Sequence, residues 1–186
     1  TWLDSLGSPH DVSVVPGNHD TYVPGALKSI IKEWQPYLIG DDEAVEHPFP
    51  FRRNRGPVAI LGVNSGRATM PFMATGSFRQ KQAQALKKLL REAKQDGLFR
   101  VVMIHHPPFP RATSAHKRLI GASRFRQIIA REGAELVLHG HTHVNSFETI
   151  EGPSGSVPVV GVPAASHGPS LQNEHLENPA RKPGAR

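Results

Sequence analysis

The sequence contains no cysteine. Disulfides and thiolate metal sites are therefore excluded, and any metal must be held by histidine, carboxylate or amide groups. Long apolar runs are lacking too; none approaches the roughly 18 residues of a membrane span. No signal peptide is visible, and a cytoplasmic location is expected. Neither an internal repeat nor a heptad pattern appears. Acidic residues are in deficit, 16 against 22 Lys and Arg, for a formal charge of +6. That excess favours anionic partners, phosphate esters and nucleic acids alike. No stacking motif or nucleic-acid fold pattern accompanies it, so nucleic acid is not expected as the primary partner. Hydrophobic residues make up only 38% of the chain. They fall in dense runs, however, so a buried core is feasible. The length, 186 residues, suits one domain.

Three apolar strands deliver ligand-capable side chains at their exits. Residues 11–15 are β-branched and run into Pro16-Gly17-Asn18-His19-Asp20. That turn offers an amide oxygen, an imidazole and a carboxylate. Residues 98–104 form a buried strand ending in His105-His106-Pro107-Pro108. Adjacent side chains in extended backbone point to opposite sides, so His105 and His106 are not expected on one ion. Residues 135–138 lead into His139-Gly140-His141-Thr142-His143. Gly140 is expected to turn the backbone at positive φ. His141 and His143, one residue apart, then point to the same side of extended chain. They could serve one metal or two neighbouring metals.

The remaining elements alternate helix and strand. Residues 2–7 read as the end of a helix with Trp2, Leu3 and Leu6 on one face. Residues 24–38 read as a helix with Leu27, Ile30, Ile31 and Trp34 as its stripe. An acidic loop follows at 41–50. Arg52, Arg53 and Arg55 are expected in a solvated hairpin or loop. Residues 58–63 are a buried strand. In the loop 68–76, Met70, Phe72 and Met73 are expected to pack. Ser77 is expected to cap a helix reaching Asp96, with Leu86, Leu89, Leu90 and Ala93 inward. Residues 123–132 form a short helix closed by Gly133, with Phe125, Ile128 and Ile129 inward. Residues 144–150 and 156–162 read as strands joined by a hairpin-type turn. From Pro163 the chain is polar and proline-rich.

Strands separated by helices imply an α/β layered fold, with ligands gathered beyond the strand ends. Gly-Asn-His-Asp at 17–20, His105 and Gly-His-x-His at 140–143 together resemble the calcineurin-like metallophosphoesterase superfamily. The local texture is similar to its bacterial cyclic-nucleotide phosphodiesterase-like branch. The resemblance implies a layered β-sandwich flanked by helices, with residues 1–165 as the C-terminal portion of such a domain and 166–186 as a flexible tail. It implies that Asn18, His105 and His141 bind one divalent metal and that His143 reaches a second, with Mn, Fe or Zn as the ions. His19, oriented by Asp20, would touch the phosphate and protonate the leaving oxygen. His106 and His139 would be structural or supporting.

The family's Asp-x-His and Gly-Asp motifs are absent ahead of Gly17, where its pattern places them. They are expected upstream of Thr1, on two N-terminal strands missing here. Their loss would leave half a dinuclear site and unpaired apolar sheet edges, which invites homo-oligomer formation. The expected function is a metal-dependent phosphohydrolase, a phosphodiesterase or phosphomonoesterase, inactive or weakly active as this chain alone. The alternative is a non-catalytic phosphoesterase-like binding or scaffold module.

Overall fold

A computed structural model describes residues 2–41 and 48–164. One mixed sheet of six strands forms its centre, in the order β1-β2-β4-β6-β8-β7. Its members are β1 (Phe51–Arg55), β2 (Val58–Val63), β4 (Phe99–Ile104), β6 (Leu136–His139), β7 (Ser146–Gly152) and β8 (Gly155–Gly161). Strands β2, β4, β6 and β8 run parallel, and β1 and β7 close the two sides antiparallel. A two-residue parallel pair, β3 (Gly76–Ser77) with β5 (Leu119–Ile120), stands apart from that sheet. Three α-helices accompany the strands: α1 (Ala26–Leu38), α2 (Gln80–Gln95) and α3 (Ala122–Glu132).

Burial alternates along the parallel strands: Leu61, Val63, Val102, Ile104, Val137 and Val159 are buried on one face, while Ile60, Met103, Leu136, Leu138 and Val160 between them are half-buried. The buried six meet Leu86 and Leu90 of α2 and Phe125 and Ile129 of α3 in one core cluster. Each such side chain contributes about 1.5–3 kcal/mol by leaving water. The α/β architecture is the expected one. Strands β2, β4 and β6, helices α2 and α3 and the β7–β8 hairpin all fall within a few residues of their predicted positions. Among the described residues no helix is long and apolar enough to cross a membrane.

Several local expectations fail for tertiary reasons. Residues 12–17 have no ladder. Instead the carbonyls of Pro9 and Val12 accept hydrogen bonds from Arg53 Nη1 at 2.8 and 2.7 Å, and the Val14 N–H donates to the Tyr37 carbonyl. Arg53 is thus not solvated. It is buried, and it also donates to the carbonyls of Pro36 and Ile39. One guanidinium ties β1, the end of α1 and the 9–13 segment, which β-propensity cannot foresee.

Trp2 and Leu6 are exposed, and only Leu3 of the expected stripe is buried, because residues 2–5 form a 3₁₀ turn rather than an α-helix. Met70, Phe72 and Met73 point outward, Phe72 being 99% exposed. The loop closes on itself there: the Met73 N–H donates to the Met70 carbonyl and the Thr69 hydroxyl to the Met73 carbonyl. Ser77 lies in β3 and does not cap α2, whose N-cap is Arg79; buried Phe78 plugs the core between them. The outer strands β1 and β7 are polar, so neither forms the apolar open edge expected. The tail at 166–186 and most of the acidic loop lie outside the described residues.

Candidate metal centre

The exits of β4 and β6 converge with the turn that carries Asn18. Asn18 Oδ1 lies 2.9 Å from His105 Nε2 and 3.0 Å from His141 Nδ1, although these residues are 87 and 123 positions away in the chain. Parallel β4 and β6 are neighbours, so their C-terminal ends place His105 and His141 side by side, with ring centroids 5.2 Å apart. Asn18 reaches them from a tight turn held by its own side chains. The Gly17 N–H donates to the Asp20 carboxylate at 2.8 Å, and the Thr21 hydroxyl donates to the Gly17 carbonyl. Gly17 has to be glycine: a Cβ there would sit 2.7 Å from the His105 ring.

The amide has a fixed orientation. Asn18 Nδ2 donates to Tyr22 Oη at 2.6 Å, which turns Oδ1 toward both imidazoles. His141 is held from the opposite side, where Nε2 lies 2.9 Å from the Lys117 carbonyl. A carbonyl only accepts, so Nε2 carries the proton and the neutral ring presents Nδ1 as a bare lone pair. That lone pair faces Asn18 Oδ1, another acceptor.

Protonating Nδ1 of His141 would relieve that repulsion, but the surroundings oppose charging either ring. Burial, aided by the neighbouring histidines, pushes His105 down to about 3. Burial lowers His141 as well. Two acceptors at this spacing want a cation between them. Separations of 2.9 and 3.0 Å also match adjacent ligand atoms around one octahedral ion with bonds of about 2.0–2.2 Å; a tetrahedral ion would set them about 3.3–3.6 Å apart. The donor set thus fits a divalent cation through two imidazoles and an amide. Among the described residues no group of three or more His, Cys, Asp or Glu side chains is poised to hold one, so no carboxylate completes the set.

The other predicted residues sit around this focus in different ways. His143 is exposed and lies close enough for its charge to act on His105 and His141. The sharp turn does not fall on Gly140. His141 and His143 themselves adopt left-handed backbone, φ 69° and 58°, an uncommon conformation for residues other than glycine. Their shared side therefore comes from a coiled turn, not from strand alternation. Between them the buried Thr142 hydroxyl has no hydrogen-bond partner among the described residues.

His19 is exposed and meets the Tyr22 ring edge-on at 5.0 Å. One oxygen of the Asp20 carboxylate takes the Gly17 N–H at 2.8 Å, which leaves the other available as an acceptor. His106 is fully buried, taking a hydrogen bond from the Ser65 hydroxyl and giving one to the Ala74 carbonyl. Burial pushes it down to about 3, so it is a neutral strut under the site. His139 is likewise buried, bonded to the Gly140 carbonyl and the Ser146 hydroxyl.

Sequence reasoning missed Tyr22 and Lys117. The first lies one helical turn past Asn18, a spacing that could have drawn notice. The second acts through its backbone and leaves no signal in its side chain.

A family model described as calcineurin-like phosphoesterase matches residues 1–145. No curated protein matches the chain.

Proposed function

We propose that this chain, which belongs to the calcineurin-like phosphoesterase family, carries part of a dinuclear phosphohydrolase centre in which Asn18, His105 and His141 hold one divalent cation and His143 reaches the second. The family supports a metal-dependent phosphoesterase in general. What favours this particular ligand set is the meeting of His105 Nε2 and His141 Nδ1 on Asn18 Oδ1. Neutral imidazoles with an amide oxygen suit Mn, Fe or Zn.

Bound cations supply Lewis acidity toward phosphoryl oxygens and acidify a water molecule. The chain's own residues do the rest. The Lys117 carbonyl keeps the His141 proton on Nε2, leaving Nδ1 free to ligate. Tyr22 keeps the Asn18 oxygen inward. His19, exposed and near enough for its charge to act on His105 and His141, would meet a phosphoryl group from solvent and give a proton to the departing oxygen. The cleaved bond is the phosphorus–oxygen bond of an ester, with water as the acceptor.

The test is hydrolysis of bis(p-nitrophenyl) phosphate and of p-nitrophenyl phosphate with Mn, Fe or Zn added singly, alongside calorimetric cation titration. Metal-dependent turnover that disappears in Asn18→Ala supports the reading. Failure of the chain to bind any of the three cations at Asn18 would sink it. A binding or scaffold role is favoured by one feature, the lack of a carboxylate beside the imidazoles among the described residues. Turnover on either ester would exclude it, since a partial centre can bind a cation without hydrolysing.

A further inference from the structure

A cavity of about 320 Å³ lies in the loop between β4 and β5 and at the start of α3. Three arginines line it, Arg111, Arg118 and Arg126, and no acidic residue does. Apart from Thr113 its other walls are apolar, with Phe109, Pro110 and Leu119 among them. Arg126 donates one hydrogen bond to the Pro108 carbonyl, which braces the loop and leaves most of its guanidinium donors for other uses. The side chains of Arg111 and Arg118 have no hydrogen-bond or ion-pair partner among the described residues. Arg111 is also held in left-handed backbone, φ 61°, a strain that collects at ligand-binding positions.

Three guanidiniums around one hollow repel one another, and no carboxylate offsets them. Arginine forks match phosphate and carboxylate oxygens in pairs, so an anion there would gain several charge-assisted hydrogen bonds at once. The volume is at the lower end of the about 300–1,000 Å³ typical of small-molecule sites. It suits one anionic group on a compact ring, not an extended polymer.

The lining of the hollow neighbours the candidate metal centre along the chain. Pro107 directly follows His106, and Arg118 directly follows Lys117, whose carbonyl holds His141. The Phe109 ring packs at 5.6 Å from His139.

We propose that this cavity is an anion subsite that recognises a second anionic group, a phosphate carried on a compact apolar ring, at the far end of the ester whose scissile phosphoryl group lies at Asn18. The word ester rests on the phosphohydrolase reading; the subsite's affinity for an anion does not. Arg111, Arg118 and Arg126 therefore set substrate choice while taking no part in bond cleavage.

The experiment is a titration of the metal-free chain with phenyl phosphate, followed by amide chemical shifts in nuclear magnetic resonance. Wild type is expected to shift at residues 109–119. The Arg111→Gln/Arg118→Gln variant should bind about tenfold or more weakly, and the Arg111→Lys/Arg118→Lys variant, which keeps the charge, should lose less. Both arginines are exposed, so the fold should survive these changes. Asn18→Ala should bind phenyl phosphate as wild type does. Equal binding by the double Gln variant, loss of binding in Asn18→Ala, or no shift in wild type would each overturn the subsite. None of these results decides whether the metal centre exists, which cation titration tests separately.

Discussion

Tyr22 Oη accepts a hydrogen bond of 2.6 Å from Asn18 Nδ2, and this contact determines which end of the amide faces His105 and His141. Without it the amide is free to turn over and present its NH₂ group, which would donate to both rings and leave no place for a cation. Tyr22→Phe should therefore fold normally yet bind Mn or Zn about 10–100-fold more weakly, the usual cost of losing a partner that orients a ligand. Calorimetric titration checks it. Unchanged affinity would mean that the amide orients without help.

His105→Ala and His141→Ala should each abolish cation binding and hydrolysis. His19→Ala should keep the cation and lower turnover by about 10²–10⁴-fold, the range for a lost proton donor. Metal analysis of each purified variant beside its turnover number separates the two classes. A His19→Ala protein without metal would contradict the division of roles.

Gly17→Ala places a methyl group 2.7 Å from the His105 ring. The ring must move, because the turn behind it is pinned by Asp20 and Thr21. Cation affinity should fall while the core, built from β2, β4, β6 and the helices, keeps its thermal transition within a few degrees. A variant with full affinity would show that His105 has room to adjust.

Glu135 supplies a pH dependence unrelated to metal. Burial alone would raise its carboxyl, but the hydrogen bonds and charge of Arg100 outweigh that and hold it below the ordinary 4.5. The pair is two-pronged: Arg100 Nε and Nη2 donate to the two carboxylate oxygens at 2.9 and 2.5 Å. A carboxyl lowered on folding takes up protons more readily when unfolded. Its contribution is complete above pH 4.5 and is lost as acid carries the pH through the folded value. Glu135→Gln should cost about 1–3 kcal/mol at neutral pH, and the gap from wild type should shrink in acid. Urea unfolding of both proteins across that range measures it. A gap independent of pH would exclude the ion pair as its source.

Local pattern was enough for much of this molecule. Strands β2, β4 and β6, helices α2 and α3 and the β7–β8 hairpin are legible because period and turn chemistry act over a few residues. The chemistry-bearing turns are legible for the same reason, as ligand-capable side chains just past an apolar run. Asn18, His105 and His141 could be picked out in that way from residue type and position alone.

Where those side chains meet is another matter. Donors 87 and 123 residues apart share one oxygen only because β4 and β6 lie parallel and adjacent and the 17–21 turn packs across their ends. The same packing buried Arg53 among backbone carbonyls and kept 12–17 out of the sheet. It also moved the left-handed turn from Gly140 onto His141 and His143. A sequence by itself determines which short stretches can be strand, helix or donor-bearing turn. Tertiary structure alone decides which lone pairs face each other, since that depends on crossings between distant segments that no local period encodes.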